Sequence, residues 1–201
     1  MYWAIYLLVL FAGLAMMVRE GLWSNTISLV NIFISGLVAF GFYSPIVVYL
    51  DEEVTSGQHT YWLDFAIIWA LFSASMVICR SLTAAFSKTR MRFKHPIDPF
   101  GGPIVAFIAA WVLASFALAT LHTSPMPKDQ FSGKLNYTDA DTASFITSPD
   151  AAWLRFVESL SQPAAMGDSS TDRIGAKSFV KIYGDRREKF EKATTFVVKR
   201  G

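Results

Sequence analysis

Apolar residues run almost unbroken over residues 1–18, 24–50, 61–79 and 102–121. A helix needs roughly 20 apolar residues to cross a ~30 Å hydrocarbon core. Each run is apolar around its whole circumference rather than along one stripe. The pattern therefore predicts four lipid-embedded helices, not amphipathic surface helices. Polar clusters close the runs: Arg19-Glu20-Gly21, Asp51-Glu52-Glu53, Cys79-Arg80 and His122-Thr123-Ser124-Pro125. Tyr2, Trp3, Trp23, Tyr49, Tyr61 and Trp62 stand at their edges, where amphipathic rings suit the headgroup level. No basic region precedes the first run, so it is expected to be a span rather than a signal peptide.

The pattern changes after residue 122. Residues 123–150 are rich in Pro, Asp, Ser and Thr and read as a linker. Ser148-Pro149-Asp150 is a helix start, with Ser as cap and Pro in the first turn. The helix it opens, 149–160, places Trp153, Phe156, Val157 and Leu160 on one face. That face suits a membrane surface, the helix bundle itself or a partner. A second helix is expected over 177–195, with Phe179, Ile182, Tyr183, Arg186 and Phe190 on one face. Its charges, Arg187 among them, are expected on a solvated face. The expected fold is all-α: an integral membrane bundle of four transmembrane helices over 1–122, then an extramembrane tail, 123–201, containing two short amphipathic helices.

Composition agrees. The 201 residues are 53% hydrophobic and only 17% charged, against about 25% charged in a typical soluble protein. Residues 1–122 hold six basic and six acidic side chains and the remainder twelve and ten, so a charge-poor part precedes a charge-rich tail. Five of the six bases, Arg80, Lys88, Arg90, Arg92 and Lys94, fall in one short loop. The acidic Asp51-Glu52-Glu53 falls in another. The positive-inside rule then places the basic loop, 80–95, in the cytoplasm, against anionic headgroups, and the N-terminus and tail on the outer side.

Lipid gives helices no hydrophobic reason to associate, so small residues mark the contacts. Gly102, Ala106, Ala110 and Ala114 form a flat ridge on the fourth span. Asn31, Ser35 and Gly36 on the second can meet it or another neighbour. Pro103 fits a first helical turn.

Candidate chemistry is sparse. Asp64 is the one carboxylate inside a span, and it sits near a helix N-terminus, where negative charge is favoured. The single cysteine, Cys79, allows no disulfide and no cysteine zinc site. His59 and His122 fall at the same end, without further support for a haem. No phosphate loop, zinc-protease motif or nucleophile elbow occurs. The residues thus point to no catalytic group, no cofactor and no metal.

Two short segments carry a resemblance. Arg19-Glu20-Gly21-Leu22, leading into the second span, looks like the basic, glycine-containing first turn of the colicin V production (CvpA) family of bacterial inner-membrane proteins. Ile97-Asp98-Pro99-Phe100-Gly101 resembles that family's hydrophobic-Asp-x-x-Gly entry into its last helix. Arg19, Gly21, Asp98 and Gly101 are the matching positions. The chain departs from the pattern at Pro99 and Val105, where the family often has an arginine and a second glycine. The resemblance implies a role in the inner membrane linked to toxin production or export and to envelope homeostasis, with no known catalytic residues.

Three functions fit these observations. The first is a non-catalytic scaffold or envelope-maintenance factor. The second is an accessory subunit of a larger, for example energy-transducing, membrane complex. The third is a small transporter or channel component using Asp64. The partners expected are membrane lipids and other membrane subunits or a second copy, and not nucleic acid.

Overall fold

The computed structural model describes residues 1–53, 58–60, 62–86, 97–124, 126, 148–161, 176–192 and 197–199. The fold is helical. It comprises α1 (Tyr2–Met17), α2 (Leu22–Glu53), α3 (Leu63–Phe86), α4 (Ile97–Leu121), α5 (Pro149–Leu160) and α6 (Ala176–Lys192). A short antiparallel pair, β1 (Gln58–Thr60) with β2 (Val197–Lys199), ties the α2–α3 connection to the end of the chain. The hydrophobic pattern gave no sign of this pair.

Among the described residues three helices are long and apolar enough to cross a membrane: α2 through Leu50, α3 and α4. The first, α1, has 16 residues, fewer than the roughly 20 of a typical span. It nevertheless traverses the same bundle. Tyr2 reaches the end of α4 through Asp150, and the turn after α1 meets the start of α4 at Asp98. Successive helices alternate in direction.

Two boundaries differ from the hydrophobic pattern. The third run was expected to stop at Cys79-Arg80, but α3 continues to Phe86. One exposed arginine does not break a helix, because its long stem carries the charge outward while the backbone bonds are made internally. The fourth helix begins at Ile97, so Pro99 and not Pro103 occupies the first turn. Lys88, Arg90, Arg92 and Lys94, and most of the 123–150 linker, lie outside the described residues.

The core is aromatic and centres on α4. Phe116 is fully buried, and among the described residues its ring neighbours are Phe72 at 4.4 Å, Trp153 at 5.5 Å, Trp69 at 5.6 Å and Phe40 at 5.8 Å. Offset and edge-on ring pairs of this kind add about 0.5–1.5 kcal/mol each beyond their area. The ridge Gly102, Ala106, Ala110 and Ala114 is buried along its length. Its partner is α1: a Cβ at Gly13 would meet Ala110 Cβ at 3.3 Å. Asn31, Ser35 and Gly36 meet other neighbours. Asn31 Nδ2 donates to Thr83 Oγ1 and Ser35 Oγ lies near Met76 Sδ, both on α3, while Gly36 faces Trp153 of α5.

Candidate functional site at the two ends of the bundle

At one end the α1–α2 turn docks on the start of α4. Asp98 Oδ1 accepts a hydrogen bond from the Leu22 backbone N–H at 2.8 Å. This N–H is among the orphan donors at the start of α2, and Asp98 caps it from another helix. Close approach makes the bond possible. A Cβ at Gly21 would stand 3.2 Å from Asp98 Oδ1, and one at Gly101 would stand 3.2 Å from Leu22 Cδ1. A Cβ at Gly102 would stand 3.2 Å from the Glu20 carbonyl oxygen. Asn25, fully buried, donates from Nδ2 to the Gly102 carbonyl at 2.9 Å and to the Glu20 carbonyl at 3.2 Å. Ser24 Oγ donates to Glu20 Oε2. Arg19 is exposed. Gly21, Asp98 and Gly101, singled out from two separate segments, are therefore one contact.

Removing the cap should be measurable. Asp98→Ala is expected to cost about 0.5–2 kcal/mol, and Asp98→Asn much less, because an amide oxygen still accepts from Leu22. Unfolding in mixed micelles, followed by tryptophan emission, reads both. Equal losses from the two variants would count against the cap.

At the other end the tail covers the bundle. Asp150, at the start of α5, is fully buried and accepts from Tyr2 Oη at 2.5 Å. Its other oxygen lies 2.9 Å from His122 Nε2. On the far side of the imidazole, Arg187 Nη2 lies 3.4 Å from His122 Nδ1. A guanidinium only donates. The arrangement therefore fits the tautomer that accepts at Nδ1 and donates from Nε2 to Asp150.

A second group lies beside it. Asp64 is buried and accepts from Tyr183 Oη at 3.1 Å and from Arg186 Nη1 at 2.8 Å. Tyr183 Oη also lies 3.3 Å from Tyr43 Oη, and the Arg186 guanidinium stands 5.0 Å from the centroid of the Tyr183 ring. Burial above all, then the neighbouring Tyr43 and Asp64, pushes the Tyr183 hydroxyl far above its ordinary value. It therefore stays protonated and serves as a fixed donor. Arg187 Nε lies 3.4 Å from the Tyr183 carbonyl and links the two groups. Below them Trp69 Nε1 donates to Thr120 Oγ1 at 3.1 Å.

One family model, described as colicin V production protein, matches residues 3–148. The chain belongs to the colicin V production family. It is a multi-pass membrane protein of that family, and the match takes in both segments that carry the Gly21–Asp98 contact. No curated protein matches the chain, and no solved structure does. The match ends at Ser148, immediately before α5. Asp150, Trp153, Tyr183, Arg186 and Arg187 thus lie beyond the matched residues while holding groups that lie within them.

Of the three places open to the first tail helix, the structure has it packed on the bundle. Trp153 and Val157 are buried in the core, so they are not available to a partner or a lipid surface, while Phe156 is 37% exposed and Leu160 is half-buried. Ser148 stands at the cap position without a side-chain cap bond. In α6, Phe179 and Tyr183 face inward as expected and Ile182 is 52% exposed. Arg187, expected on a solvated face, is buried. The tail side of this site was not assembled from the sequence. Its one available signal was Arg186, a cation placed among apolar residues on the inward face of α6. Among the described residues no group of His, Cys, Asp and Glu is arranged to hold a metal ion.

Proposed function

We propose that this protein is a non-catalytic scaffold of the bacterial inner membrane, acting in toxin production or export and in envelope homeostasis. The supporting observation is how the buried polar groups are used. Asp64 is turned to Tyr183 and Arg186, and Asp150 to Tyr2 and His122. These groups hold the chain's own elements together. In this reading the basic loop 80–95 lies in the cytoplasm against lipid headgroups, and the N-terminus and tail lie outside. Deletion of the gene in a toxin-secreting strain tests it. Secreted toxin should fall and envelope-stress reporters should rise, and the plasmid-borne chain should restore both. Unchanged secretion and stress would refute the reading.

A second reading is an accessory subunit or a self-associating chain, favoured by α3. Ala66, Ala70, Ser73, Ala74, Ser81 and Ala84 are exposed along it, and small residues let another helix approach closely. Native gels of gently extracted membranes separate the two readings. A fixed ratio with other proteins supports the subunit, and a lone chain supports the scaffold.

A further inference from the structure

The helix contacts set a common depth scale. Leu22 and Asp98 mark one end of the bundle. Tyr43, Asp64 and His122 mark the other, joined through Tyr183 and Arg187. At ~1.5 Å rise per residue, Leu22 to Tyr43 along α2 covers ~31 Å, close to a ~30 Å hydrocarbon core. Between these ends Arg80 is the one charged side chain on α1, α2, α3 and α4. Its level follows from its neighbours on α3. Met76 meets Ser35 and Thr83 meets Asn31, so Arg80 stands opposite Phe33, ~15 Å from either end. Helix α3 carries it there by running on to Phe86, which sets it apart from Lys88, Arg90, Arg92 and Lys94 further along. Helix α5 brings an opposite charge to the same level. It runs inward from Asp150, with Trp153 against Gly36 and the Phe156 ring 5.2 Å from that of Phe33. This register puts Glu158 opposite Asn31, within ~3 Å of the level of Arg80.

We propose that copies of this chain assemble side by side in the membrane, with Arg80 on α3 of one paired to Glu158 on α5 of the next. This rests on the self-associating form of the second reading above. Arg80 is exposed and Glu158 half-buried, and neither side chain has a hydrogen-bond or ion-pair partner among the described residues. Ionisable groups at such depth are expensive in hydrocarbon and characteristically pair with one another. The fold keeps these two apart within one chain. Helix α3 meets α2 at Asn31 and Ser35, and α5 meets it at Phe33 and Gly36. At ~3.6 residues per turn these are opposite faces of α2, so the bundle separates the two charges. Two copies in the same orientation keep their depths, and the charges then match. The face around Arg80 admits a neighbour. Ala66, Ala70, Ser73, Val77 and Ala84 are exposed. With Arg80 they alternate at spacings of about four and three, the repeat of a left-handed helix seam, and small residues allow close approach. Arg80 against Arg80 would repel, which disfavours a two-fold pair through α3. With the two charges on opposite sides, the contact is heterologous and builds a ring or row of more than two copies.

Charge exchange tests this on the full chain, extracted from native membranes in mild detergent and sized by native mass spectrometry. The parent should run as more than two copies. Arg80→Glu and Glu158→Arg should each lose the oligomer and run as single chains. The two single variants co-expressed, and the double variant in one chain, should regain it, because each combination restores opposite charges at the contact. Regain on co-expression also shows that the single variants fold. Arg80→Gln and Glu158→Gln, which reverse no charge, should weaken the oligomer alike. A parent that runs as a single chain overturns both the contact and self-association. An oligomer that survives Arg80→Glu overturns the contact alone, and loss of bound anionic lipid from that variant would place Arg80 on a phosphate instead. No regain in either combination also overturns it. So does a different protein held at a fixed ratio and released by Arg80→Glu but not by Glu158→Arg.

Discussion

Asp150→Ala is expected to free the tail from the bundle and to destabilise the protein by about 3–5 kcal/mol, the cost of stranding the partners of a buried charge. The carboxylate serves two elements at once, Tyr2 of α1 and His122 at the end of α4. Without it, the Tyr2 hydroxyl and the His122 Nε2 hydrogen lose their acceptor where solvent does not reach, since both residues are buried. Asp150→Asn keeps an acceptor for one of them and should lose less. His122→Ala should cost a comparable amount, and the double variant less than the sum, with a coupling of about 0.5–3 kcal/mol. Denaturation in mixed micelles reads the energies. Limited proteolysis reads the geometry: the tail should be cleaved much faster in Asp150→Ala than in the parent. Additive single effects, or a tail protected as before, would refute the clasp.

The second large effect lies one turn further along α5. A Cβ at Gly36 would stand 2.6 Å from Trp153 Cη2 and Cζ2 and 3.3 Å from Phe116 Cδ2. The indole cannot retreat easily, because Phe33, Phe40 and Phe116 surround it. Gly36→Ala should therefore destabilise by about 1–3 kcal/mol through overpacking. Trp153→Ala should cost about 3–5 kcal/mol through the cavity it leaves. The two defects are opposite in sign. Gly36→Leu should be severe alone and should recover part of the stability of Trp153→Ala when combined with it, because the leucine grows into the space the indole leaves. Thermal unfolding of the four proteins in one detergent decides the matter. A double variant no better than Trp153→Ala would mean that α5 does not rest on α2 at this position.

The four-helix bundle was legible because length and unbroken apolarity are physical requirements of the bilayer; α2, α3 and α4 meet both, and α1 meets the second with 16 residues. The small-residue ridge was legible for a similar reason: only close backbone approach explains Gly102, Ala106, Ala110 and Ala114 in sequence. What one segment alone cannot show is its complement. Asp98 read as part of a helix entry, and nothing local revealed that its oxygen caps Leu22 of another helix. Asp150 read as the acid at a helix start, a role that suits an exposed helix and hides a buried carboxylate hydrogen-bonded to Tyr2 and His122. Arg187 read as solvated because its sequence neighbours are charged. Its burial follows from the tertiary placement of α6 against His122, which outweighs local composition. The strand pair was missed because three residues are too few to show a period.

The pairing of α1 with α4 has a consequence for synthesis. Helix α1 packs chiefly along α4, while α2 packs along α3 and α4. Of these four helices, α1 is made first and thus waits for the last. Until α4 enters the bilayer, Gly13 has no Ala110 to meet and the Leu22 N–H has no Asp98. A chain stalled after α3 therefore carries a paired α2–α3 hairpin and an orphan first helix, the species a membrane quality-control protease is best placed to find.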